Sequence, residues 1–154
     1  MKTFLSILLA AIITVNAYSQ VPVISSYSGT SATIFLDFDG HYVAGTPWNW
    51  AGPINAQPAA LSTSQITEIY NRVAEDYGIF NLNITTDSIE YLAAPATSRM
   101  RIIITPTSSW YGSAGGVSFV GSFKWGNETP AWVFSTLLGN SGKKIAEAIS
   151  HEAG

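Results

Sequence analysis

Residues 62–86, STSQITEIYNRVAEDYGIFNLNITT, decide the fold because they hold a helix that is followed directly by a strand. Apolar residues of the first half recur at i, i+3, i+4, i+7, i+8 and i+11, which predicts an amphipathic helix over 62–77. Ser62 and Gln65 are spaced as a capping box at its start. The β-branched run 82–86 then predicts a buried strand, central in a sheet.

Further strands are predicted on both sides of this stretch. Their predicted ranges are 32–38, 101–105, 117–123 and 131–135. Asp39-Gly40 follows the first of them and is typical of a hairpin, with His41 beginning the return strand. Residues 46–58 hold two tryptophans among Pro and Gly residues and are predicted to form an ordered surface loop.

The pattern becomes helical again from Lys143. Ile145, Ala148, Ile149 and Glu152 share one face by the i, i+3, i+4, i+7 rule. The predicted elements follow one another in the order strand, helix, three or four strands, helix. This order predicts an α/β (α+β) architecture, in which a mixed twisted sheet of about five strands packs on two main helices. The 154 residues, 47% of them hydrophobic, suffice for one domain or part of one.

The first 19 residues have the pattern of a secretory signal peptide, with Lys2 before a short apolar run and cleavage expected after Ala17 or Ser19. The protein is therefore expected to be secreted, extracellular or periplasmic, and no segment is predicted to span a membrane. Removing Lys2 changes the net charge from 7 − 10 = −3 to 6 − 10 = −4, which argues against a nucleic-acid partner. The chain has no cysteine, so a metal would need His, Asp or Glu ligands.

The tetrapeptide His151-Glu152-Ala153-Gly154 begins a motif of zinc hydrolases, His-Glu-x-x-His. In that motif two imidazoles one helical turn apart bind Zn²⁺, and the glutamate beside the metal-bound water is the general base. Glu152 is predicted on the core-facing side of its helix, where a carboxylate needs a partner. The other interpretation is structural, with His151 and Glu152 in the solvated last turn of a helix that ends at a glycine cap.

Several separated segments together resemble the secreted bacterial zinc metallopeptidases of the metzincin-like, reprolysin-related kind. The similar segments are LDFDGH at 36–41, VAEDY at 73–77 running through 80–81 to 85–86, GGVSFVGSF at 115–123, PAWVF at 130–134 and HEAG at 151–154. In that family the motif continues as His-Glu-x-Gly-His-x-x-Gly-x-x-His. This sequence departs from the family pattern because it stops after the first glycine.

The resemblance implies that residues 32–154, after a lead-in at 20–31, form the N-terminal part of a zincin-like catalytic domain. It implies that His151 is the first zinc ligand, that Glu152 is the general base, and that Gly154 precedes the second ligand. A protein or peptide substrate would pair with an edge strand beside the cleft. That strand would be formed by Gly116, Val117, Ser118, Phe119 and Val120. The complete protein would be a zinc endopeptidase, and this chain would be an inactive fragment of it.

Three alternatives stay open. The exposed aromatic residues are compatible with a secreted, non-catalytic module that binds carbohydrate or peptide. The second alternative is a remnant that lost its catalytic half, with a frayed last helix. Asp37, Asp39 and His41 carry metal-ligating groups within five positions, but the predicted turn at Asp39-Gly40 favours a structural role for them.

Overall fold

The computed structural model of the protein describes residues 20–154, so the predicted signal peptide lies outside the described residues. Seven strands and three α-helices make up this part of the chain. The strands are β1 Thr33–Asp37, β2 His41–Val43, β3 Ile54–Ala56, β4 Asn83–Thr85, β5 Arg99–Thr105, β6 Gly116–Val117 and β7 Ala131–Phe134. The helices are α1 Thr63–Asp76, α2 Ser88–Ala93 and α3 Gly142–Ala153. None of the helices in residues 20–154 combines the length and apolar character needed to cross a membrane.

The main sheet has five strands in the order β4-β1-β5-β7-β6. β1 is parallel to both of its neighbours, β5 is parallel to β7, and β6 runs antiparallel at one edge. The predicted α/β class and the mixed sheet of about five strands are confirmed. β5, which contains the predicted strand 101–105, is the middle strand of the sheet.

The sequence predicts that residues 82–86 form a central strand of the sheet, and this prediction is wrong for β4. β4 is the last named strand on its side of the sheet, yet all three of its residues are buried. The lead-in covers its outer side, because Ser25 forms a bridge with Thr85 and the Ser26 amide donates to the Ile84 carbonyl at 2.9 Å. A strand covered by a connecting segment has the same apolar pattern as a central strand.

Helix α1 confirms the sequence interpretation closely. The Ser62 hydroxyl accepts from the Gln65 amide, and the Gln65 side chain accepts from the Ser62 amide, which completes the capping box. Its buried residues are Ile66, Ile69, Tyr70 and Val73. Together with α3, this face covers one side of the sheet and encloses the larger core.

The hairpin predicted at Asp39-Gly40 does not form. Both sides of β1 are already occupied by β4 and β5, so β2 has no free edge of β1 to pair with. Instead β2 pairs with β3 in a separate two-stranded sheet. Gly40 has a φ of 90°, and a Cβ there would lie 2.7 Å from the Ala56 carbonyl oxygen, so the glycine permits a close backbone approach.

The segment predicted as a surface loop, residues 46–58, contains β3 and a buried anchor. Trp48 is only 4% exposed, and its indole N–H donates to the Pro130 carbonyl at 2.7 Å. It belongs to a second, smaller core on the other face of the sheet, with Trp132 and Phe134 of β7. The proline and glycine residues predict a surface loop, but Trp48 is buried because it packs against residues 130–134, which are distant in the sequence.

Candidate active site

His151 and Glu152 lie in the last turn of α3, and α1 fixes the position of that turn. The Tyr77 hydroxyl donates to the Ser150 carbonyl at 3.0 Å, and the Ser150 hydroxyl donates to the Asp76 carboxylate at 2.6 Å. Burial, together with the charge of Asp76, raises the pKa of Tyr77, so the phenol keeps its proton. The last turn of a helix has carbonyls without intrahelical partners, and Tyr77 satisfies the one directly before His151.

Glu152 is packed against the edge strand. A Cβ on Gly116 would lie 2.9 Å from both Cγ and Oε1 of Glu152, which is closer than van der Waals contact allows. Glycine at this position of β6 therefore leaves room for the glutamate in the position that it occupies. The side chain of Glu152 is half-buried, whereas His151 is exposed.

The edge strand is where the sequence predicts it, but it is shorter. β6 pairs Gly116 with Val133 and Val117 with Trp132, and the next pairing positions in this register would bring Phe119 opposite Pro130. Proline has no amide hydrogen, and the Pro130 carbonyl already accepts from Trp48. The predicted strand over 117–123 therefore ends at Val117.

After β6 the chain turns and forms one wall of a cleft. The Ser122 amide donates to the Phe119 carbonyl at 3.0 Å, and Gly121 has a φ of 76°. The cleft has a volume of about 300 Å³ and lies between residues 118–123 and the end of α3, with Met100 also in its lining. It brings Ser118, Phe119 and Val120 together with His151 and Glu152.

The other two residues predicted for substrate binding lie elsewhere. Gly116 contacts Glu152, as described above, and Val117 packs with Phe119 against the second core. Of the five residues, Ser118, Phe119 and Val120 line the cleft. The cleft is therefore lined by the turn after the strand, and the strand itself continues from that lining as the free edge of the sheet.

The described residues do not complete a zinc site. Zinc in proteins takes four ligands, three or four of them from the protein. Residues 20–154 contain no group of three or more His, Asp or Glu side chains placed to hold a metal ion. His151 and Glu152 offer one imidazole and one carboxylate, so these two residues alone do not fit a zinc site.

In the alternative set Asp37, Asp39 and His41, two members contact an arginine. The Arg101 guanidinium donates to the Asp37 carboxylate and lies 3.3 Å from the His41 Nδ1. Asp37 is 1% exposed, and burial raises its pKa to about 7 although Arg101 acts in the opposite direction. Burial, with Arg101 second, lowers the pKa of His41. The guanidinium occupies the place between carboxylate and imidazole, so it opposes a second cation there.

Sequence reasoning missed two features of the site. The sequence pattern assigns Arg101 only to a strand, although an arginine beside an apolar run indicates a buried partner. Asp76 and Tyr77 stand at the predicted end of α1 and in a segment that resembles the family, but nothing local in the sequence shows that they reach α3. Comparison of the chain with protein-family models, with curated proteins and with solved structures found no match.

Proposed function

We propose that this chain is the N-terminal part of the catalytic domain of a secreted zinc-dependent endopeptidase, with His151 as a metal ligand and Glu152 as the general base. The observation that carries the proposal is the cleft in which both residues meet the turn after the edge strand. The two parts of this cleft are separated by about thirty positions in the sequence. The two parts belong to separate segments that resemble one enzyme family, and they lie together in the fold.

The edge strand supports a peptide substrate. β6 is the last strand on its side of the main sheet, and an extended peptide can add to such an edge through main-chain hydrogen bonds. Because Glu152 packs directly against Gly116, a peptide on this edge would lie beside the carboxylate. Holding the scissile bond next to a catalytic group accounts for much of the rate of such enzymes.

Glu152 suits the role of a proton carrier. Its carboxylate is half-buried in the cleft wall and backed by the edge strand, which limits the positions that it can adopt. It would accept a proton from the attacking water and deliver it to the leaving amine. The remaining zinc ligands would have to come from residues other than those described.

Reading the coding sequence beyond codon 154 tests the proposal at little effort. A histidine at the next position, followed at the family spacing by a glycine and a third histidine, would support the peptidase. An immediate stop codon would contradict it.

Calorimetric titration of the 154-residue chain with zinc gives a second test. We expect weak binding that His151→Ala abolishes, since a single imidazole leaves most coordination positions to solvent. His41→Ala is the matched control, because it removes the only other histidine of the chain. Tight stoichiometric binding that survives His151→Ala and is lost in His41→Ala would refute the assignment of His151 and point to Asp37, Asp39 and His41.

One observation favours a second candidate, a secreted module that binds carbohydrate or peptide. Trp48 is the centre of a cluster of rings whose outer members Trp50, Tyr111 and Trp125 are exposed. Exposed aromatic rings on a rigid base are suited to binding such ligands. Ligand binding by a gene product that ends at codon 154 would favour this candidate over the peptidase.

A further inference from the structure

The outer rim of the cleft exposes apolar side chains on the side opposite α3. Val120 is 100% exposed and Trp125 is 43% exposed. The rings of Phe119 and Trp125 have centroids 5.4 Å apart, and Phe119 and Val120 both line the cleft. We call these three residues, Phe119, Val120 and Trp125, the apolar rim.

A rigid base holds the apolar rim in place. The Phe119 ring lies 4.0 Å from the ring of Trp48, centroid to centroid, and Trp48 is buried and hydrogen-bonded to Pro130. Phe119 is therefore fixed before any ligand arrives. Pre-positioned aromatic side chains lose little conformational entropy on binding, so they contribute efficiently to affinity.

The charge pattern indicates what kind of group the rim can accept. The cleft lining on this side, residues 118–123, has no charged side chain. The nearest charge along the chain is Lys124, which lies between this lining and Trp125. The opposite wall carries the Glu152 carboxylate, which repels an acidic group. An uncharged apolar group gains most from burial against such a wall.

We propose that Phe119, Val120 and Trp125 form a subsite that binds an aromatic or large aliphatic side chain of a peptide lying in the cleft. The inference rests on the proposed function, since the peptide is the occupant that the neighbouring edge strand can hold. The subsite is continuous with the cleft through Phe119 and Val120. It would make the protein select peptides by one apolar side chain.

Two neutral, end-capped peptides in a Gly-Ser background, one with a single Phe and one with Ala at the same position, test the proposal. Each is titrated into the 154-residue protein while the indole N–H resonances are followed by NMR, which detects millimolar binding. We expect the Phe peptide to bind about tenfold more tightly than the Ala peptide and to shift the Trp125 indole resonance. In Trp125→Ser we expect most of this preference to be lost.

Trp50→Ser is the matched control, because Trp50 is an exposed tryptophan that contacts Trp48 and is not in the cleft lining. It should leave the preference unchanged. Val120→Ser is a second rim variant at a fully exposed position and should weaken the preference without affecting folding.

Equal affinity for the two peptides would overturn the subsite, as would an equal loss in Trp50→Ser and Trp125→Ser. Shifts of Trp125 with a neutral oligosaccharide but not with the Phe peptide would also overturn it. If the protein neither binds zinc nor hydrolyses peptides, but the Phe peptide binds more tightly and shifts the Trp125 resonance, only the catalytic proposal is refuted. If the protein hydrolyses peptides but binds the Phe and Ala peptides equally well, only the proposed subsite is refuted.

Discussion

Gly116→Ala is the substitution that addresses the candidate site most sharply. The added Cβ would lie 2.9 Å from Cγ and Oε1 of Glu152 and 3.0 Å from the backbone carbonyl oxygen of Trp132. The glutamate can rotate away, but the carbonyl belongs to β7 and cannot move without disturbing the sheet. We therefore expect Glu152 to leave its position, and the free energy of unfolding to fall by about 1 to 3 kcal/mol, the usual cost of overpacking.

Denaturant unfolding and the NMR signals of the Glu152 side chain measure the two effects separately. Gly115→Ala is the matched control, because its Cβ would approach only the end of the Leu138 side chain, at 2.9 Å from Cδ2. Rotation of Leu138 relieves that contact, so the loss of stability should be smaller and Glu152 should stay in place. The reasoning is refuted if the two variants have equal stability and the Glu152 signals do not change in Gly116→Ala.

Asp37→Asn should remove a pH dependence of stability. The pKa of Asp37 is raised from 3.8 to about 7 in the folded protein, so only the folded state holds this proton between those values. The wild type should therefore lose about 1.4 kcal/mol of stability per pH unit relative to Asp37→Asn as the pH rises through that interval, and parallel unfolding curves would disprove this. Tyr77→Phe removes the hydrogen bond to Ser150 and should cost about 1 kcal/mol. Amide exchange of residues 150–154 should accelerate while the middle of α1 stays protected; unchanged exchange would show that Tyr77 does not fix that turn.

The features that depend on local rules could be predicted from the sequence. The capping box of Ser62 and Gln65 and the 3.6-residue period of α1 involve neighbours along the chain, so both the helix and its start are as expected. The helical pattern after Lys143 likewise identified α3. The class of the fold follows from the order of these elements.

The features that depend on distant partners could not be predicted. The Asp39-Gly40 pair permits a turn, but it cannot show that both sides of β1 are taken by other strands. The end of β6 depends on Pro130 and on the indole of Trp48, which are distant from it in sequence. The sequence predicts an edge strand beside His151 and Glu152, whereas the cleft is lined by the turn after that strand.

The measurement that tests the central claim most directly is peptide hydrolysis by the protein expressed from the complete reading frame, compared with its Glu152→Gln variant. The zinc content of both proteins is determined in parallel. We predict one bound zinc in each, and a loss of about 10² to 10⁴ in kcat for the variant, the usual contribution of a general base. Hydrolysis by Glu152→Gln at the wild-type rate, or a wild-type protein that holds no zinc and cleaves no peptide, would contradict the account.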